Sequence, residues 1–248
     1  MAGALIVIPC FNEARRLPAD AFRDTCAEVP DVGFLFVDDG STDDTLNRLR
    51  GLERALPGRV SVLPLQRNGG KAEAVRQGMC AAFKTDADAV GYWDADLATP
   101  LDEIASFRAV LATHSGVDLV LGARVRLLGR LVHRRAVRHY LGRIFATGVS
   151  LFLQLPIYDS QCGAKLMRNT PELAALFDER FCVNWTFDVE LLARLIALRG
   201  LARAYDSLYE LPLERWEDVA GSKVKPRDFA LAFLEIARLW RRYGRGGS

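Results

Sequence analysis

Asp94 and Asp96 stand one residue apart, directly after the apolar run Ala89–Trp93. Two carboxylates so placed at a strand end can share a hard divalent cation. Mg2+ and Mn2+ take oxygen ligands and need only one or two protein carboxylates when phosphates supply the rest. Such a cation would offset the charge that builds on a departing nucleotide diphosphate. The same pair would equally serve as a solvated turn or a helix cap ahead of Pro100. A second acidic pair, Asp38-Asp39, follows the apolar residues 34–37 and is itself followed by Gly40-Ser41. Carboxylates there can accept hydrogen bonds from a nucleobase imide or a ribose hydroxyl, and Glu13, after Pro9-Cys10-Phe11-Asn12, can serve the same pocket. Asn68-Gly69-Gly70-Lys71 opens a helical pattern. Glycines admit close backbone approach, and a helix start bearing a lysine suits phosphate. The spacing is not that of a Walker loop, and taken alone it reads as a turn with a surface lysine.

Charge is distributed unevenly. The net charge is only +2, yet residues 119–158 contain no Asp or Glu and carry Arg124, Arg126, Arg130, Arg134, Arg135, Arg138 and Arg143. A basic block of this kind fits an anionic partner, either phosphate or a membrane surface. Nucleic acid fits poorly, because only Tyr140 and Phe145 interleave with the arginines for base stacking. The five cysteines are irregularly spaced with no CxxC pair, and His114, His133 and His139 form no metal-binding spacing. These read as reduced thiols and incidental histidines in a cytoplasmic protein. The first residues have no basic stretch of a secretory leader.

The chemistry-bearing clusters need a frame. Apolar runs at 4–8, 34–37, Val60–Pro64, Ala89–Trp93 and 119–121 read as strands, with helical patterns at 42–56, 71–83 and 101–111 between them. Ser41 is the expected cap of the 42–56 helix, with Asp43 and Asp44 in its first turn. Strand–helix alternation implies a largely parallel sheet with helices on its faces. Ligands bind outside the carboxyl ends of such strands, where the three acidic clusters fall. Farther along, helices are expected at 130–155 (one or two), 187–198 and Pro226–Tyr243, the last with Phe229, Phe233, Ile236 and Trp240 along one stripe. No stretch reaches the roughly 20 apolar residues of a spanning helix. Residues 144–158 are too short to span, but they can lie either in a core or in a lipid interface.

The ordered set Val7-Ile8-Pro9-Cys10-Phe11-Asn12-Glu13, Val37-Asp38-Asp39-Gly40-Ser41-Thr42-Asp43 and Asp94-Ala95-Asp96 resembles the family 2 glycosyltransferases with a GT-A fold. Later segments are similar to the polyprenyl-phosphate branch of that family: Gly122-Ala123-Arg124, Asp159-Ser160-Gln161-Cys162-Gly163-Ala164-Lys165, Phe187-Asp188-Val189-Glu190-Leu191-Leu192, and Trp216-Glu217-Asp218-Val219-Ala220-Gly221-Ser222-Lys223-Val224. The resemblance implies an α/β, GT-A (Rossmann-like) fold with a mostly parallel central sheet flanked by helices, plus C-terminal and interfacial amphipathic helices. It implies a GT-A domain over 1–215, including a basic and apolar helical insert at 124–158, and a C-terminal extension at 216–248 in the same structural unit.

The implied activity is metal-dependent, inverting transfer of a hexose from a nucleotide sugar to a polyprenyl (dolichyl-type) phosphate at the cytoplasmic face of a membrane. Pro9, Phe11, Glu13, Asp38, Asp39 and Asp94 would then line the nucleotide site, joined by Lys71 from the glycine turn. Asp94 and Asp96 would hold Mg2+ or Mn2+. Arg124 with Arg134, Arg135 or Arg138, and Lys223, would hold the acceptor phosphate. Asp94, Asp96, Arg124, Arg135 and Lys223 would be the catalytic set. Ala98 stands where mannose synthases of the branch carry a metal-binding Gln, and residues 159–163 look more like the glucosyltransferases, which favours UDP-glucose over GDP-mannose. Two rivals remain. One is a family 2 transferase acting on a soluble saccharide, with Asp188 or Glu190 as the base it would need. The other is a non-catalytic module that binds nucleotide or anionic lipid.

Overall fold

In the computed structural model, the described residues are 3–133, 136–217 and 226–244, with the backbone alone at 133, 136–143 and 226–230. The apolar runs become strands β1 (Ala4–Cys10), β2 (Val32–Asp38), β3 (Val60–Pro64), β4 (Ala89–Trp93) and β5 (Leu119–Ala123). Every residue of β2 is buried, as expected for a parallel strand covered on both faces. Three further strands follow: β6 (Leu131–His133), β7 (Ala164–Arg168) and β8 (Leu208–Pro212), with a short β9 (Arg215–Glu217) behind them.

The central sheet runs β3-β2-β1-β4-β7-β5-β8. β1, β2, β3 and β4 are mutually parallel, as are β5 and β8, and β7 is inserted antiparallel between β4 and β5. β6 and β9 form a separate parallel pair. This is the expected α/β architecture with a mostly parallel sheet.

Helices cover both faces. On one, α1 (Ala19–Glu28), α2 (Thr45–Ala55) and α4 (Glu103–Thr113) pack on Ile6, Ile8, Phe34, Phe36 and Trp93. There Phe22 meets Phe34 and Phe36 edge-on at 5.1 and 4.9 Å, a geometry that adds about 0.5–1.5 kcal/mol per pair beyond area burial. On the other face lie α3 (Lys71–Ala82), α5 (Ala136–Leu153), the short α6 (Pro171–Ala174), α7 (Phe187–Arg199), α8 (Leu201–Asp206) and α9 (Pro226–Tyr243).

One expectation changes here. Residues 130–155 are not all helical, because β6 precedes α5 and pairs with β9, burying Val132 and Trp216. α9 turns Ala232, Ile236, Leu239 and Tyr243 inward. Alanine at 232 gives close approach, and Phe233 and Trp240 are left half exposed. The Phe229 side chain lies outside the described residues. Segment 144–158 is divided between core and surface. Phe145, Val149, Leu153 and Leu155 are buried, whereas Ile144 is 62% and Leu151 71% exposed. No described helix is long and apolar enough to cross a membrane.

Candidate functional site

β1, β2 and β4 all run parallel, so the loops after Cys10, Asp38 and Trp93 emerge at one sheet edge. The first two loops are stitched together. Asn12 adopts a left-handed φ of 53°, donates its backbone N–H to Ser41 Oγ at 3.0 Å and accepts Thr42 N–H on Oδ1 at 2.9 Å. Glu13 N–H donates to Thr45 Oγ1 at 2.8 Å and Ala14 N–H to Asp43 Oδ2 at 3.3 Å. Ser41 therefore does not cap α2, which starts at Thr45 without a side-chain cap. Short polar side chains bond whichever nearby backbone group is best placed, and here that group is on the neighbouring loop. The Glu13 carboxylate accepts from Arg16 at 2.6 Å.

Asp39 holds the glycine turn. Its Oδ1 accepts Gly69 N–H at 2.7 Å and its Oδ2 accepts Gly70 N–H at 2.9 Å. Burial pushes this carboxyl above its ordinary value, against the two glycine N–H bonds that pull it down. Gly70 sits at φ 86°, ψ 163°, a region essentially reserved for glycine, and a Cβ there would fall 2.7 Å from the Asn184 amide. The turn delivers Lys71 as the first residue of α3, and its ammonium pairs with Asp94 Oδ1. Asp94 N–H in turn donates to Gly163 O at 3.1 Å. Gly163 must lack a side chain, because a methyl there would overlap the Asp94 carboxylate. A continuous chain of contacts thus joins the ends of β2 and β4 to the loop entering β7.

The carboxylates at the β4 end fit a divalent cation. Asp96 accepts Ala98 N–H at 3.1 Å. Burial and then Asp94 push its carboxyl up, while the Ala98 bond and Lys71 oppose them. The two carboxylates share one half-buried edge with the Lys71 ammonium and offer only oxygen donors, which suits a hard cation. No described group of three or more His, Cys, Asp and Glu is arranged to hold a metal by itself, so Asp94 and Asp96 suit an ion that draws its remaining ligands from phosphate.

Behind this edge lies a buried ionic triad that the sequence reading did not assemble. Lys165 is completely buried. Its ammonium donates to Asp188 Oδ1 at 2.6 Å, Cys162 O at 2.8 Å and Ser160 O at 3.2 Å, which uses all three of its protons. The Tyr92 hydroxyl donates to the same Asp188 oxygen at 2.5 Å. Glu190 is likewise committed. It accepts Cys182 N–H at 2.7 Å and Val183 N–H at 3.2 Å on one oxygen, and Arg194 at 2.9 Å and Tyr243 OH at 3.0 Å on the other. Neither acid is placed as the general base of the soluble-saccharide reading. From α9, Glu235 accepts the N–H groups of Asn184, Trp185 and Thr186 at 3.0, 3.1 and 2.7 Å, which fixes Asn184 against Gly70.

The arginine block divides. Arg124 donates from Nε and Nη2 to the two oxygens of Asp159 at 2.6 and 2.7 Å and lies 5.4 Å over the Trp216 ring. Asp159 is itself held, as Glu210 accepts its N–H at 2.8 Å. Arg130 pairs with Glu214 at 3.0 Å, whereas Arg126 is exposed. Arg134, Arg135 and Lys223 lie outside the described residues, as do the side chains of Arg138 and Arg143. Three buried side-chain atoms have no protein partner among the described residues: Asp38 Oδ1, Ser160 Oγ and Gln161 Nε2. The five thiols are free, and burial pushes that of Cys162, beside the site, up to about 11.

Residues 5–172 match the model of Glycosyl transferase family 2. The chain belongs to that family. Dolichyl-phosphate beta-glucosyltransferase of Drosophila melanogaster is 30% identical, over 96% of this chain and 74% of that protein. Polyprenol monophosphomannose synthase of Mycolicibacterium smegmatis is 28% identical, over 97% and 88%. Among solved structures, glucosyl-3-phosphoglycerate synthase from Mycobacterium tuberculosis, in complex with Mn2+, UDP and glucosyl-3-phosphoglycerate, superposes with a TM-score of 0.68. That match has 22% identity over 100% of this chain and 82% of the other, and it is a likeness of fold. In this family 2 glycosyltransferase the three N-terminal motifs therefore share one edge, and the later motif Asp159–Lys165 closes it from the antiparallel strand.

Proposed function

We propose that the chain transfers glucose from UDP-glucose to a polyprenyl phosphate, with inversion, at the cytoplasmic face of a membrane. The observation that carries this reading is the Lys71–Asp94–Gly163 linkage, which presents the carboxylates Asp94 and Asp96 at the strand edge with Lys71 beside them. A divalent ion held by Asp94 and Asp96 supplies charge neutralisation at the leaving diphosphate. Asp38, with one buried oxygen lacking a protein partner, is the acceptor for the nucleoside, and Pro9, Phe11 and Glu13 complete that wall. Asp39 acts at one remove by setting the turn that aims Lys71.

An oxygen of the acceptor phosphate attacks the anomeric carbon as the carbon–oxygen bond to the diphosphate breaks, and the electron pair leaves with UDP. A phosphate monoester has its second pKa near 6 and is largely dianionic at neutral pH, so no general base is needed. The commitment of Asp188 and Glu190 to other partners supports such an acceptor over a sugar hydroxyl. Two anions must nevertheless be brought together, which is the task of the basic residues Arg124, Arg134, Arg135, Arg138 and Lys223. The similarity to proteins named for dolichyl phosphate and polyprenol supports the acceptor class, and Ala98 in place of Gln supports glucose over mannose.

The membrane contact is assigned to the outer faces of α5 and α9. Ile144 and Leu151 from α5, with Phe233, Leu234 and Trp240 from α9, are exposed apolar side chains. The helices are zipped by Phe145 against Phe233 and Phe152 against Trp240, with ring centroids 6.1 and 6.0 Å apart. Exposed Arg241 lies at the end of the same helix. An apolar surface edged by arginine fits an anionic bilayer, where a polyprenyl chain resides.

The test is transfer of radiolabel from UDP-glucose and from GDP-mannose to polyprenyl phosphate in detergent, with Mn2+ or Mg2+ and with EDTA. Organic-soluble label from UDP-glucose, lost with EDTA, is expected. Label only on soluble sugars would overturn the acceptor, and label from GDP-mannose alone would overturn the donor. Arg124→Ala is expected to raise KM for the lipid phosphate several-fold more than KM for the nucleotide sugar. Equal rises in both, with a lowered melting temperature, would confine Arg124 to its pairing with Asp159.

A further inference from the structure

Asp94 already carries a cation on one oxygen, the Lys71 ammonium, and its carboxylate lies against the backbone of Gly163 so closely that no side chain fits there. The base of the lysine is fixed, because Asp39 holds the N–H groups of Gly69 and Gly70 at 2.7 and 2.9 Å, and the Asn184 amide lies against Gly70. Beyond that base 43% of the Lys71 side chain is exposed, and the ammonium is held by Asp94. A four-carbon stem on a fixed base lets the ammonium swing while its anchor stays in place. Of the other nearby acids, Asp188 is taken by Lys165 and Tyr92 and Asp96 accepts the Ala98 N–H, while Asp94 carries the Lys71 ammonium.

We infer that Lys71 is an internal competitor for the metal site, held on Asp94 until a nucleotide diphosphate offers its ammonium another anion. This rests on the metal assignment made above. Lys71 on Asp94 lowers the affinity for a bare divalent ion, because cation and ammonium claim the same carboxylate. Lys71 moved onto a diphosphate frees Asp94 and neutralises phosphate charge at once. Metal and nucleotide are then coupled through one side chain, and the coupling must be reciprocal. The consequence is that the site takes up metal and donor together and does not stay charged with metal between turnovers.

The test is Mn2+ binding to the full chain, followed by the electron paramagnetic resonance signal of the free ion, with and without UDP. Compared are the unsubstituted protein, Lys71→Met, Lys71→Arg, and Asp96→Asn as a control without the metal site. Without UDP, Lys71→Met is expected to bind Mn2+ about tenfold more tightly than the unsubstituted protein, within the usual range of coupling between sites. The gain in Mn2+ affinity on adding UDP is expected to shrink by the same factor, while Lys71→Arg keeps the unsubstituted behaviour. Mn2+ affinity that is unchanged or weaker in Lys71→Met overturns the inference and makes Lys71 a support of the site instead. Absence of Mn2+ uptake by the unsubstituted protein even with UDP overturns the metal assignment, and the inference with it.

Discussion

Replacing Asp96 with alanine is expected to lower the rate of metal-dependent sugar transfer by about two to three orders of magnitude, the scale on which losing one electrostatic stabiliser acts. The fold should persist. Among the described residues the Asp96 carboxylate accepts one backbone bond, from Ala98, and a single such bond is worth about 1 kcal/mol net. Removing a carboxylate from a crowded anionic edge also relieves repulsion with Asp94, which offsets part of that cost. The measurement is the initial rate of organic-soluble label at saturating Mn2+, beside thermal melting of the same preparation. Undiminished turnover in a well-folded variant would remove Asp96 from the metal site and leave the Asp94–Ala95–Asp96 turn as a structural feature.

Lys165→Met is expected to cost about 3–5 kcal/mol of unfolding free energy, the loss typical when one partner of a buried pair is removed. Lys165 is completely buried, and without it the buried Asp188 carboxyl loses its cationic partner and keeps the Tyr92 hydroxyl as a donor. The carbonyls of Ser160 and Cys162 would lose their donor as well. Adding Asp188→Asn removes the unpaired carboxyl, so the double variant is expected to be more stable than Lys165→Met alone, with a clear non-additive term. Urea unfolding of the four proteins measures this directly. A loss below about 1 kcal/mol would put the triad in the class of exposed ion pairs and reassign the fastening of β7 to its apolar neighbours.

The first half of the fold was legible because its strands are mostly apolar runs ending in polar clusters, and the helices at 71–82 and 226–243 announce themselves by periodicity. The later strands were hidden by their charges. β7 carries Lys165 and β8 carries Glu210, and both charges are accommodated by partners remote in sequence: Asp188 for the first, the N–H groups of Tyr158 and Asp159 for the second. α1 escaped notice because only Phe22 and Cys26 face inward, too few positions to make a pattern. The site was readable as a list of motifs but not as a wiring. In sequence, Asp38 and Asp39 are equivalent acids, whereas in the structure Asp39 spends both oxygens on glycine N–H groups and Asp38 keeps one unpartnered. Arg124 reads as a free cation until its aspartate, 35 residues later, is folded against it.

The position of β7 sets a timetable for synthesis. It enters between β4 and β5 only after the chain has run on through α5, and pairing across such separations is slow to nucleate. Until it arrives, β4 has an open edge on the side of the site, and the backbone of Gly163, on which Asp94 rests, is missing. A ribosome-bound chain ending before β7 would hold every N-terminal motif and still lack the seat that orders Asp94. Competence for transfer should therefore appear late and abruptly during translation. That same open edge is where a chaperone would be needed first.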